Sequence, residues 1–361
     1  MKADAHTIPT DAAALARLAL LGDTLDRLIT IDFGGRGAIT ALYAAARRIS
    51  QGPLTTTAAL ALVQACAPGS VFAVCTGFPV RPWISPAIGE TDGPPGAAAL
   101  AWAAATSLKA LPVIVTPAAM TAQAEAAARA FGLVPLPLEQ ARAAVSGSRP
   151  TPAVVLRSFT VDAAAAEAEA DAFMAALKPA AVAAIEHPGA NQHGVCHSSL
   201  GVDISAGCAK VEPLFARAQA AGVRTFTFAD MPNEVGLGPL RDEALAASPY
   251  ALRCQCPCGG GIVGASRVDH IVMGTTANWA GYATAAAVSV ITGNARAVAR
   301  PEQDARALAA TQGAGAIEGV TGSVDPSAGV DGLTTDISGR MTALIADALR
   351  PYEGLVERPP F

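Results

Sequence analysis

The chain has 361 residues, 52% hydrophobic but only 5% aromatic and 15% charged, with a formal net charge of −5. A mildly acidic composition without a basic patch argues against nucleic acid and anionic membrane as partners. No apolar run reaches the roughly 18 residues expected of a membrane span, and the start "MKADAHTIPTDAAALARLAL" lacks the ordered regions of a signal peptide.

In chain order, Thr10 or Asp11 caps a helix over "AAALARLALLGDTLDRLI", and "IDFGGRGAITALYAAARRI" turns through glycines into a second. "SVFAVCTG" reads as a buried strand, and "ETDGPPGA" leads into a helix of almost pure alanine. "LPVIVT" is the next strand, followed by a helix over "PAAMTAQAEAAARAFG" with Pro117 near its start and Gly132 near its end. "AVAAI", "VRTFTFA" and "VDHIVMG" are further strands, each followed by a polar loop and then a helix.

Alternating strands and helices predict an α/β fold, a mainly parallel sheet flanked by helices on both faces in three αβα layers. Residues 1–361 read as a single domain, with 1–68 a helical N-terminal segment packed on it. "SGSRPTP" is the best linker candidate, although a long loop explains it equally well.

In open α/β sheets ligands bind beyond the carboxyl ends of the strands. Thr76, Gly77, Glu90 and Asp92 follow the first strand, Glu186 follows "AVAAI", Asp230, Asn233 and Glu234 follow "VRTFTFA", and Asn278 follows "VDHIVMG". The acids are expected to share one mouth. Each also has a plainer reading: Asp92 as the cap of the alanine helix, Glu186 as a solvated charge, "DMPNEVGLG" as a turn. Several carboxylates in one cleft hold a cation or shift their pKa values, and oxygen donors suit Mg²⁺ or Mn²⁺ better than zinc.

A competing soft-metal reading draws on His187, His193, Cys196 and His197, with Cys254, Cys256 and Cys258 in "CQCPC". C-x-C-x-C lacks the C-x₂-C knuckles of structural zinc sites. Buried or incidental thiols are therefore expected, in a reducing cytoplasm, since seven cysteines make an odd number for a disulfide framework. "GGRG" lacks dinucleotide-loop spacing and no Walker lysine follows a glycine loop, so no organic cofactor is expected.

The succession "TGFPV", "ETDGPPGA", "AIEHPG", "DIS", "NEVGLG", "NWAGYA" and "GVDGL" resembles the D-glutamate cyclase family, the C-terminal domain type of mitochondrial D-glutamate cyclase and its bacterial relatives. The resemblance covers about Leu25 to Ala348 and implies a lyase that closes D-glutamate, or a related acidic amino acid, to 5-oxo-D-proline with loss of water. It implies matching positions at Thr76, Gly77, Glu90, Thr91, Asp92, Gly93, Glu186, Asp203, Asp230, Asn233, Glu234, Asn278 and Asp331. The chain departs from the family pattern at Met231-Pro232, over 187–199 and over 254–261.

Within that reading, Glu90, Asp92, Glu186 and Glu234 are the expected catalytic residues. Thr76, Gly77, Thr91, Gly93, Asn233, Gly236 and Asn278 contact substrate, with backbone amides near Gly93 or Gly236 taking the α-carboxylate. Asp92, Asp230 and Asp203 hold a divalent cation, Mn²⁺ or Mg²⁺. The partner is a small acidic amino-acid-like substrate, and a homo-oligomer stays open. The same mouth would serve a metal-dependent hydrolase of a small phosphate ester or lactam, or a non-catalytic protein that binds an acidic metabolite.

Overall fold

Seven strands form one sheet in the order β3-β4-β2-β1-β5-β6-β7, and every pairing between them is parallel. The strands are β1 (Val71–Cys75), β2 (Leu111–Pro117), β3 (Val134–Pro135), β4 (Ala153–Phe159), β5 (Ala181–Ile185), β6 (Arg224–Ala229) and β7 (His270–Met273). The computed structural model describes residues 9–352 apart from Arg36 and Ser148, so the first eight residues of the N-terminal segment lie outside it. No helix among the described residues is long and apolar enough to cross a membrane.

The expected three-layer α/β arrangement is present. Side chains alternate across each strand: Phe72 and Val74 join one core, Val71, Ala73 and Cys75 the other. The first core holds α1 (Ala12–Ile29), α2 (Ala38–Ser50), α3 (Leu54–Ala65), α4 (Pro94–Ser107) and, after β7, α10 (Ala277–Thr292). The second holds α6 (Leu138–Ser146), α7 (Ala166–Leu177) and α8 (Glu212–Ala220). Asp11 caps α1 by accepting from the Ala14 amide at 2.9 Å. "SGSRPTP", whose Ser148 lies outside the described residues, joins α6 to β4 within the same sheet.

The alanine helix α4 has no outward face; nearly every residue is buried, and it packs on α10. Small side chains let the two backbones touch. A Cβ on Gly96 would lie 2.9 Å from the Asn278 Cα and 2.5 Å from the Ile185 Cδ1. Overpacking of this kind costs about 1–3 kcal/mol, against a helix-propensity gain of at most about 1 kcal/mol for Gly to Ala. The backbone atom cannot swing away, so the clash wins. Gly96→Ala is expected to lower the melting temperature; an unchanged or raised one would show that α4 and α10 can separate freely.

The remaining α-helices among the described residues are α5 (Thr121–Ala130), the short α9 (Ala244–Ala247), α11 (Pro301–Gly313) and α12 (Thr335–Ala348). Strand order reverses at β1, which pairs with β2 on one side and β5 on the other. The carboxyl ends of β1 and β5 therefore flank a topological switch point, where α/β sheets open a crevice.

Candidate active site

Six carboxylates meet at that crevice: Glu90, Asp92, Glu186, Asp230, Glu234 and Asp331. Glu186 and Asp230 are the first residues after β5 and β6, and Glu234 stands four later. Glu90 and Asp92 come from the β1–α4 connection, and Asp331 from the loop before α12. Ligand oxygens of Asp92, Asp230 and Asp331 lie within 4.8 Å of one another, and so do those of Glu186, Asp230 and Glu234. Asp230 thus belongs to both groups. It and Asp331 are half-buried and mark the mouth, while the other four acids are buried.

Asp92 is anchored differently from the expected cap. Its oxygens accept from the amides of Ala277 at 2.6 Å, Asn278 at 2.7 Å and Gly93 at 3.0 Å. It therefore meets the N-terminus of α10, while α4 starts at Gly93 without a side-chain cap. Asn278 returns the tie: its Oδ1 accepts from the amides of Gly93 at 3.0 Å and Gly96 at 2.7 Å, and its Nδ2 donates to the Thr91 carbonyl at 3.1 Å. The two helix starts, otherwise short of partners, are locked to each other through these two side chains.

The loop carrying Asp331 is stitched to the same motif. Thr91 donates from Oγ1 to the Gly329 carbonyl at 2.8 Å, and its amide to the Ile317 carbonyl at 3.0 Å. Glu318 accepts from the Gly332 amide at 2.7 Å, the Val320 amide at 3.1 Å and the Thr321 amide at 2.6 Å. Burial works against its charge, but these bonds and the Thr321 hydroxyl hold it below the usual carboxylate range. Glu186 (φ 42°) and Asp331 (φ 50°) both sit in the left-handed region. Non-glycine residues there are uncommon and cluster where the surroundings dictate the backbone.

Loss of hydration on burial pushes all six carboxyls above their ordinary range. Mutual repulsion adds to it: Asp92 acts on Glu90 and Asp331, Glu234 on Glu186, and Asp230 on Glu234. Asp230 is raised to about 8 by burial and by the charge of Asp92. Glu90 Oε1, Glu186 Oε2, Glu234 Oε2 and Asp331 Oδ2 are buried without a hydrogen-bond partner, as are Thr76 Oγ1 and Asn233 Oδ1. Such groups are expensive to leave unpaired, and those of the acids belong to one cluster.

The sequence-derived positions separate into three sets. Glu90, Asp92, Glu186, Asp230 and Glu234 come together as expected, with Thr76 beside them under Gly93. Gly77 is a turn residue behind them (φ 109°), and Thr91, Gly93 and Asn278 spend their polar groups on scaffolding. The Gly236 amide is committed too, to Ser266 Oγ at 2.8 Å, so neither it nor Gly93 offers a spare donor for a carboxylate.

Asp203, expected to hold the cation, is not brought to the other acids. It is exposed, accepts from the Ser205 amide at 2.9 Å and belongs to neither acidic group, whereas Asp331 joins Asp92 and Asp230. Asp203 is held in its own tight loop, which keeps it from the cleft.

The sequence profile described as D-glutamate cyclase-like, C-terminal, matches residues 25–345. The chain belongs to the D-glutamate cyclase-like family. No curated protein matches it. The family match spans all six clustered acids, so the motifs quoted from the sequence are the ones that build the cleft. Two contributors carried no assigned role in the sequence reading. Asp331 stands there among the family-matching positions without a role, and Glu318 is preceded by no strand that would flag it. Arg81, in the β1–α4 connection, has a buried Nη1 without a partner and lies against Gly322 of the Glu318 turn.

Proposed function

We propose that this D-glutamate cyclase-like chain is an enzyme, a hydro-lyase that closes D-glutamate, or a close acidic analogue, to 5-oxo-D-proline. The observation that carries the reading is the set of buried, unpartnered carboxylate oxygens facing one cleft, on the motifs of this family.

The donor set fits a hard divalent cation: carboxylate oxygens only, with Asp92, Asp230 and Asp331 converging. Mn²⁺ or Mg²⁺ bound there would neutralise the acids and polarise the side-chain carboxylate of the substrate. Everything else falls to the chain. Burial and neighbouring negative charge raise both Glu186 and Glu90, which lets one hold a proton while the other accepts. Glu186 takes one ammonium proton from the substrate and frees the nitrogen lone pair. The new C–N bond forms at the side-chain carboxyl carbon, and the C–O bond breaks. The borrowed proton and a second N–H proton leave with that oxygen as water, so the overall change is loss of one water. Raised carboxyl pKa values suit this exchange near neutral pH. Glu234, fixed by the Asp230 amide at 2.9 Å and the Met231 amide at 3.1 Å, keeps its other oxygen free to orient the ammonium. Holding the substrate folded supplies the ring-closing orientation.

The direct test follows D-glutamate and 5-oxo-D-proline chromatographically in the presence of Mn²⁺ or Mg²⁺. Interconversion is expected, with L-glutamate inert. Glu186→Gln is expected to lower kcat by about 10²–10⁴, the usual contribution of a positioned acid–base group, with a smaller change in KM. Turnover of a chromogenic phosphate ester or a lactam instead would move the chain to hydrolysis. Binding of D-glutamate without turnover would make it a metabolite-binding protein.

A further inference from the structure

A second cluster lies outside the acidic cleft. The connection after β5 and the segment between α9 and β7 bring together His197, Cys254, Cys256 and Cys258. His197 Nε2 is 3.2 Å from Cys256 Sγ and 3.6 Å from Cys258 Sγ. Cys254 Sγ is 3.5 Å from Cys256 Sγ and 3.3 Å from Cys258 Sγ. A tetrahedral zinc ion with Zn–S of about 2.3 Å and Zn–N of about 2.0–2.1 Å has ligand–ligand edges of about 3.5–3.8 Å. The observed edges fall close to that range. The sulfurs are too far apart for disulfides, which need about 2.05 Å. Thiols are weak donors and acceptors, so hydrogen bonding alone gives little reason to gather three of them around one imidazole.

We propose that His197, Cys254, Cys256 and Cys258 bind one zinc ion in a closed structural site with four protein ligands. The objection from spacing considered the cysteines alone, whereas the fourth ligand comes from 59 residues before Cys256. Thiolate and imidazole donors select zinc over the hard cations that suit the acidic cleft. The chain around the cluster is shaped for it. Asn191 Nδ2 and the Gly260 amide each point at Cys258 Sγ from 3.5 Å, as outer partners of a thiolate do. Gly261 sits at φ 74°, where a Cβ would lie 2.1 Å from the Ala251 carbonyl oxygen, so the glycines after Cys258 let the segment fold back tightly. The other residues of the soft-metal reading are outside the cluster: His193 is exposed with its ring against Gly260, Cys196 packs with Phe78, Ile204 and Cys208, and His187 is buried with Nδ1 3.0 Å from the Pro188 carbonyl.

The site braces the catalytic wall. Asn233 Nδ2 donates to the His197 carbonyl at 2.8 Å, and Glu234 is the next residue. The Gln255 amide donates to the Gly201 carbonyl at 2.8 Å, and the Gly264 amide to the Pro232 carbonyl at 3.0 Å. Zinc would fasten both connections behind the loop that carries Asp230 and Glu234.

The full chain, purified without added metal or chelator and then desalted, is to be assayed for metals by mass spectrometry. About one zinc per chain is expected, as for a closed structural site. Cys256→Ser should lose most of it and melt lower, whereas His193→Ala should keep it and His197→Cys should still hold zinc through four thiolates. Should Cys256→Ser fail to fold, the wild-type chain decides alone. With zinc bound, Cys254, Cys256 and Cys258 should resist a thiol reagent until a zinc chelator is added, the other four cysteines being buried. Cobalt substitution should give the charge-transfer and d–d bands of a tetrahedral thiolate site. Wild-type protein free of zinc, or loaded with iron, or with all three thiols reacting at once, would overturn the proposal.

Discussion

Asp92→Asn is expected to abolish cyclisation and to cost about 1–3 kcal/mol of stability, the penalty for leaving a buried donor unpaired. The carboxylate accepts from three backbone amides, using both oxygens. An asparagine keeps one acceptor oxygen and turns an NH₂ toward the Ala277 or Asn278 amide, donor against donor. Sequence reasoning alone expects no such penalty, because a helix cap tolerates Asn nearly as well as Asp. The structure adds one because this side chain joins two helix starts. Charge is lost at the same time, so affinity for Mn²⁺ or Mg²⁺ should fall.

Asp331→Asn separates the two effects. Asp331 occupies the left-handed region, which Asn adopts readily; its Oδ2 is unpartnered, and its contact with the Asp92 carboxylate is one that an Asn amide can make as a donor. This variant should melt close to wild type yet bind the cation and turn over poorly. Calorimetric titration with Mn²⁺, turnover and thermal melts check both. Asp331→Asn with wild-type cation affinity and rate would remove the cation from the cleft. Asp92→Asn with full activity would reduce Asp92 to a scaffold group.

The sheet was legible because its strands are short apolar runs that end at turn residues, and the acids because they follow such runs directly. β4 escaped notice because "AVVLRSF" abuts the Pro/Ser stretch that reads as a linker and shows three polar or half-exposed positions on its outer half. Contacts between distant segments were not legible at all. Asp92 reaches α10, 185 residues on, and nothing local to "ETDGPPG" distinguishes that from capping its own helix. That Asp203 lies away from the other acids was hidden for the same reason, since sequence order fixes which loop a residue lies on but not which way the loop turns. The three thiols were visible as a cluster, but their imidazole partner was one of three histidines in a glycine-broken loop. Only folding selects His197.

Between pH 6.5 and 8 the cation-free chain is expected to lose stability as pH rises. Asp230 is raised from 3.8 to about 8 in the folded chain. Between those values the native state binds more protons than the unfolded chain, so the slope of stability with pH is negative. The stabilisation is fully present below the unfolded value and disappears through the folded one. For one half-buried group the change across this window is on the order of 1 kcal/mol. Burial lowers His187 to about 4 and holds His197 and His270 below their usual range, so they oppose this fall near pH 6.5, where the unfolded chain still takes up protons. In chain stripped of zinc Cys254 opposes it too: against its burial, bonds from Cys258 and Cys256 bring it to about 7. The quantity to measure is therefore the difference between wild type and Asp230→Asn, in which those groups cancel. Wild type should fall more steeply toward pH 8 in chelator. Mn²⁺ or Mg²⁺ should stabilise wild type more at pH 8 than at pH 6.5, because the cation takes the place of protons that the cluster no longer holds. Equal slopes in the two proteins, together with no gain from either cation, would mean that the six acids are not a coupled, cation-binding set.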